Sequence, residues 1–268
     1  MRRASWGGMS LARPWAMFRV DVAFTCVTAG LWVVLLAAYR LRVARFGSFR
    51  SDRVLGIGGT ALVGQNIMQA TYWAIDPIVR GLARLGVTAN MVTWSALALG
   101  LGGAVAIADG MFGLACLLAT LSTISDILDG QVARVTSSGS ARGELLDAAV
   151  DRYTEFAFIA GFIVYAHDSP VLVAIALCAL LASFMISYAS AKAEALAVTT
   201  PRGLMRRHER AVFLILFAGI QPLLGPIVHT RWPELPESSV FAIALVLVAV
   251  IGNYSAIQRF VRISRQVA

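Results

Sequence analysis

Lysine is almost missing from this 268-residue chain: Lys192 stands alone, and the other basic residues, which bring the formal net charge to +8, are arginines. Charge of either sign is scarce. Only 14% of residues are charged and 58% are hydrophobic, with a mean hydropathy of +0.74. A soluble domain carries about a quarter charged residues, so this composition excludes one. Cysteine is also sparse. Cys26, Cys116 and Cys178 all fall inside apolar runs, with no CxxC spacing, which excludes a disulfide framework and a zinc site. The basic clusters lie beside apolar runs, where they match anionic lipid headgroups and not nucleic acid.

What the chain does have is a series of apolar runs near the ~20 residues a helix needs to cross a bilayer. The expected class is all-α, a polytopic membrane helix bundle. An N-terminal run from Val22 to Tyr39 follows Arg2, Arg3, Arg13 and Arg19 and ends in Arg40, Arg42 and Arg45. It lacks a small-residue cleavage pattern, so it reads as an uncleaved anchor helix and not as a signal peptide. Basic flanks on both sides leave its orientation open, and a start at Met17 would remove most of the early arginines. Residues 46–60, with Gly56, Gly58 and Gly59, read as a linker, since no strand precedes them as a phosphate loop requires. The segment 61–85 mixes Trp73, Ile75, Ile78, Val79 and Leu82 with Asp76, Arg80 and Arg84, as an interfacial amphipathic helix does, with Pro77 as its kink.

Six core spans follow. The first is capped at Thr88-Ala89-Asn90 and runs to Ala108; the others cover Phe112 to Val135, Gly143 to Tyr165, a span ending near Ala197, Ala211 to Val228, and Val240 to Ala256. The division is an anchor and linker over 1–60 and a membrane domain over 61–268. Loops near 134–142 and 202–210 and the C-terminal arginines fall on one side, and the opposite loops carry only Arg231. The positive-inside rule puts the arginine-rich side in the cytoplasm.

Four aspartates sit on that side, in spans that are otherwise largely apolar. Asp126 and Asp129 stand at i, i+3, and Asp147 and Asp151 at i, i+4, so each pair projects from one helix face. An aspartate near the bilayer centre costs roughly 2.5–3.5 kcal/mol, so four of them require partners or a water-filled cavity. Two facing carboxylate pairs make an oxygen-rich cage for hard divalent cations. Such a cage suits a phosphate-containing substrate, whose charge the ions neutralise. Gly130 and Gly143 leave room for a ligand against the backbone, Arg134 is placed to clamp phosphate, and a carboxylate at the rim can take a proton from a hydroxyl. The plainer alternatives are helix-holding ion pairs with arginine, an ion path such as a divalent-cation transporter, or a non-catalytic membrane scaffold.

The full run Asp126-x2-Asp129-Gly130-x2-Ala133-Arg134-x8-Gly143-x3-Asp147-x3-Asp151 resembles the signature of the CDP-alcohol phosphotransferases at every fixed position. The resemblance extends over about 65–262. It implies an integral enzyme of the cell (inner) membrane, active site facing the cytoplasm, often a homodimer. Such an enzyme transfers a substituted phosphate from CDP-diacylglycerol to a polar alcohol and releases CMP. It also implies two divalent cations, Mg2+ or Mn2+, on Asp126, Asp129 and Asp147, with Asp151 as general base and a further metal contact. Gly130, Ala133, Arg134 and Gly143 match donor-site positions.

The segment from Ser187 through Lys192 to Arg210 is similar to the phosphatidylinositol-phosphate synthase branch, which implies a phosphorylated inositol as acceptor. Lys192, Arg202, Arg206 and Arg210 are the expected acceptor contacts, with Arg207 in the same cluster. Arg206 and Arg210, at i, i+4, are the preferred pair on a shared helix face. Glycerol 3-phosphate is the nearest rival acceptor, with serine or another unphosphorylated alcohol behind it.

Overall fold

A computed structural model describes residues 15–47, 49, 54, 64–199 and 203–267. The 46–60 linker falls almost wholly outside these residues, as does Arg202. Among the described residues the structure is all-helical: α1 (Trp15–Phe46), α2 (Gln65–Arg84), α3 (Ala89–Ala108), α4 (Phe112–Val135), α5 (Ala141–Tyr165), α6 (Pro170–Ala195), α7 (Arg207–Arg231) and α8 (Ser239–Val267). Six of them, α1, α3, α4, α6, α7 and α8, are long and apolar enough to cross a membrane. Helix α5 matches their length but carries Glu144, Asp147, Asp151, Arg152 and Glu155. The chain is an integral membrane helix bundle.

Local sequence sets the helix starts. Thr88 accepts a hydrogen bond from Met91 N at the head of α3, Ser140 from Gly143 N at the head of α5, and Ser169 from Leu172 N ahead of Pro170 in α6. Gly110, with φ of 73°, makes the tight turn into α4. Pro77 lies within α2 without ending it. Helices α7 and α8 run past the apolar stretches that define their spans, because the flanking Arg, Gln and Glu residues are good helix formers.

The packed core gathers at one end of the bundle. Phe112, Phe162 and Phe241 pack ring against ring there, with centroids 5.1–6.5 Å apart, among Ile107, Ile159 and Leu245. Near this core α3 and α5 come into backbone contact: a Cβ on Gly161 would lie 2.3 Å from the Ala104 carbonyl oxygen. The other end, where α4 finishes and α5 and α7 begin, is where the acidic residues collect.

Helix α1 joins the core by a polar contact. Asp21, 2% exposed, accepts hydrogen bonds from Gly113 N at 2.7 Å and Leu114 N at 3.1 Å, the first free amides of α4. Met111, the residue before α4, supplies no side-chain cap, so Asp21 caps this helix from another one. Gly113 permits the approach, since a Cβ there would fall 2.1 Å from the Asp21 carbonyl oxygen. This contact orients α1, which its basic flanks left open: its start lies at the aromatic end of the bundle. At its far end Tyr39 packs on Trp73 of α2 at 5.9 Å.

Candidate active site

Asp126 and Asp129 come from the last turns of α4, and Asp147 and Asp151 from the first turns of α5. Carboxylate oxygens of Asp126, Asp129 and Asp147 lie within 4.8 Å of one another. Asp147 Oδ1 is buried and has no hydrogen-bond partner. Like charges this close, with a buried oxygen left unsatisfied, are costly without a cation between them. The residues therefore fit a divalent ion, and the all-oxygen donor set fits a hard one such as Mg2+ or Mn2+.

Asp151 sits at the edge of the cluster and is held differently. Arg207, in the first turn of α7, donates to Asp151 Oδ1 and, at 3.3 Å, to Asp126 Oδ1. Among the described residues of the arginine cluster, it is the one hydrogen-bonded to these aspartates. Thr93 of α3 donates to Asp129 Oδ2 at 2.7 Å. These groups line a cleft between α3, α4, α5 and α7, whose further wall is apolar, with Phe158 and Leu214 among its residues.

Arg134 is exposed, and its Nε donates to Gln131 at 3.4 Å. Its Nη2 lies 3.5 Å from where a Cβ on Gly130 would stand, ordinary contact, so packing alone does not demand glycine there. At Gly143 a Cβ would meet Ser140 Oγ at 3.3 Å and Asn90 Oδ1 at 3.7 Å, which brings the head of α3 to the same rim. Ala133 is half-buried beside Arg134 on α4.

The basic side of the site departs from the expected pairing. Glu209 accepts the Arg206 backbone N–H at 3.0 Å and starts α7 at the next residue, so Arg206 has extended backbone (φ −60°, ψ 160°) and lies outside the helix. Arg206 and Arg210 thus share no helix face. Arg210, fully buried, donates through Nε and Nη2 to both carboxylate oxygens of Glu155 at 2.7 and 2.9 Å, and through Nη1 to the Met205 carbonyl at 2.8 Å. Each of its nitrogens is committed to the protein. A buried charge in a membrane bundle needs such pairing, which explains why it turns inward. Lys192 is exposed near the end of α6.

Arg259 of α8, one of the C-terminal arginines of the positive flank, is buried. Its Nη1 donates to Ser190 Oγ at 3.1 Å, and its Nε is buried with no partner. It lies beside Gly203, where a Cβ would be 3.0 Å from that Nε, and within the electrostatic reach of Arg210 and Arg206. Leu204, next in the loop, is fixed through its carbonyl by Ser255 Oγ at 2.7 Å. One sequence signal does point to Arg259: it follows the small residue Ser255 by one turn in a long apolar run. Thr93 and Glu155 carry no such signal.

A family model described as CDP-alcohol phosphatidyltransferase matches residues 86–251. The chain is 36% identical over 151 residues to a phosphatidylinositol phosphate synthase of Corynebacterium glutamicum, covering 54% of this chain and 69% of that one. It is 32% identical over 205 residues to one from Cutibacterium acnes, covering 72% and 94%. Among solved structures it resembles the phosphatidylinositol phosphate synthase of Mycobacterium tuberculosis at 28% identity. With manganese and citrate bound, that structure gives a TM-score of 0.61 over 70% of this chain and 87% of that one. With CDP-DAG bound, it gives 0.60 over 70% and 92%.

Proposed function

The chain belongs to the CDP-alcohol phosphatidyltransferase family, and from that premise we propose that it transfers a phosphatidyl group from CDP-diacylglycerol to a phosphorylated inositol. The observation that carries the reaction class is the Asp126, Asp129 and Asp147 cluster with its unsatisfied Asp147 oxygen. These three residues, with Asp151 at the edge, would hold two divalent cations, Mg2+ or Mn2+. When bound, the cations neutralise the donor's diphosphate and the charge that develops on the departing phosphate. Gly130, Ala133, Arg134 and Gly143 would line the place of the cytidine diphosphate, with Arg134 against a phosphate.

The acceptor hydroxyl attacks the phosphorus that carries diacylglycerol. The new P–O bond forms as the bond to the cytidine-bearing phosphate breaks, and CMP leaves. Asp151 takes the hydroxyl proton. Asp151 stands outside the three-carboxylate cluster with Arg207 as its partner, which suits it to that role better than the three clustered acids.

For the acceptor, the observation is the unpartnered, buried Nε of Arg259 beside Gly203. An orphaned guanidinium donor among further cations fits a phosphomonoester. Arg207, whose guanidinium already bonds Asp126 and Asp151, can receive the same phosphate as it leaves Asp151. Arg206 and the exposed Lys192 complete the basic side, and Arg202, outside the described residues, is assigned to it from sequence alone. Arg210 acts through Glu155 and the loop, a positioning role in place of direct contact. A phosphorylated acceptor is thereby favoured over serine, and the likeness to phosphatidylinositol phosphate synthases favours inositol phosphate over glycerol 3-phosphate.

The arginine-rich end, which holds the site, is proposed to face the cytoplasm of the cell membrane, where CDP-linked donors are available. A homodimer is part of the same proposal. The test is CMP release by purified protein in nanodiscs given CDP-diacylglycerol, Mg2+ or Mn2+, and a panel of inositol phosphate, inositol, glycerol 3-phosphate and serine. Release with inositol phosphate above all is expected. Release with serine alone would move the acceptor, and release with none would end the transferase reading.

A further inference from the structure

Buried threonines in this bundle mostly satisfy their hydroxyls on their own helix. Thr28, Thr71 and Thr120 each donate to the carbonyl four residues back, the usual solution in a membrane. Thr93 has that option, with Ala89 O at 3.0 Å, yet its Oγ1 is closer to Asp129 Oδ2, at 2.7 Å. A hydroxyl has one proton, and a carboxylate is the stronger acceptor, so the contact to Asp129 takes the larger share. A second bond between the same two helices, Ser122 Oγ to Ala96 O at 2.8 Å, fixes their register so that Thr93 stays opposite Asp129. Both Thr93 and Asp129 are buried.

We propose that Thr93 is a positioning residue for the cation centre: its hydroxyl holds one oxygen of Asp129 and so fixes the direction in which that carboxylate faces Asp126 and Asp147. This rests on the reading of Asp129 as a metal ligand. Without the hydroxyl, a carboxylate repelled by two neighbours within 4.8 Å turns away from them, and the oxygens no longer converge. Groups that orient a ligating carboxylate in this way typically contribute 10–100-fold to metal affinity.

The experiment measures Mn2+ binding by electron paramagnetic resonance on the purified full chain, with neither donor nor acceptor present. Thr93→Val, which keeps shape and loses the hydroxyl, is expected to weaken Mn2+ at least about tenfold, and Thr93→Ser to stay within about threefold of wild type. Thr120→Val, a buried threonine bonded only to its own helix, serves as control and leaves the affinity unchanged. Mn2+ affinity in Thr93→Val equal to that of Thr120→Val overturns the proposal. Should Thr93→Val fail to fold, Thr93→Ala takes its place under the same criterion. A wild-type chain that binds no Mn2+ removes the cation centre itself and Thr93's role with it, an outcome distinct from loss of the threonine effect alone.

Discussion

The guanidinium of Arg207 is hydrogen-bonded to the carboxylate of Asp151, tying the first turn of α7 to the face of α5 that carries the acidic cluster. One cation thus ties the group proposed to accept the acceptor's proton to the helix start that also carries Arg210.

Arg207→Ala removes a charge-assisted contact worth roughly 2 kcal/mol to a phosphate, which corresponds to about a thirtyfold rise in KM for inositol phosphate. In the absence of acceptor, the same variant should bind Mn2+ more tightly than wild type, because a competing cation has gone from Asp126 and Asp151. Initial rates and Mn2+ titration read the two effects separately. An unchanged KM would return Arg207 to a purely structural role.

Asp151→Asn keeps the size of the side chain and loses the base. Turnover should drop by about 10²–10⁴-fold while CDP-diacylglycerol still binds. Equilibrium binding of the labelled donor, set beside single-turnover rates, separates these quantities. Normal turnover would assign the proton to another group.

Arg259→Leu should leave donor affinity intact and raise the KM for a phosphorylated acceptor, since it removes the unpartnered Nε. Lysine in its place should recover part of the loss, as a point charge without the planar fork. Equal losses for donor and acceptor would place Arg259 in the packing and not in the pocket.

Arg210 and Glu155 are expected to show their effect in stability. Arg210→Met leaves Glu155 with a partly buried, unpaired charge, at a cost of up to about 3 kcal/mol. The double variant Arg210→Met with Glu155→Leu should recover most of it. Thermal unfolding of the detergent-solubilised protein reads both, and a double variant no more stable than the single one would contradict the pairing.

Asp21→Ala should destabilise the bundle by about 0.5–2 kcal/mol through loss of the cap on α4, and Asp21→Asn should retain most of it. The same geometry fixes topology. Met17→Cys should be labelled by a membrane-impermeant thiol reagent from the face opposite that of Ser264→Cys, in a background lacking the native cysteines. Labelling of both from one face would overturn the placement of α1.

The bundle was legible in the sequence because a membrane helix satisfies its own backbone, and six of the helices show themselves as apolar runs. The four aspartates were legible because helix geometry alone puts i, i+3 and i, i+4 pairs on one face. Arg206 and Arg210 were misread for a local reason. Their spacing implies a shared face only if both are helical, and Glu209 starts the helix after Arg206. Glu155 draws Arg210 from 55 positions away, and Asp21 caps amides 92 and 93 positions away. Contacts at such separations leave no periodic trace in one chain. Thr93 is hidden for the same reason, its partner Asp129 being 36 positions distant on another helix.

Whether the acidic cluster serves phosphatidyl transfer to a phosphorylated inositol is read from the identity of the lipid product. Purified protein in nanodiscs would receive CDP-diacylglycerol, Mn2+ and isotopically labelled inositol phosphate, with lipids and nucleotides then resolved by mass spectrometry. Labelled phosphatidylinositol phosphate and CMP are expected in equal amounts, both lost in Asp147→Asn. CMP released without label in the lipid, or labelled lipid formed equally well by Asp147→Asn, would contradict that role.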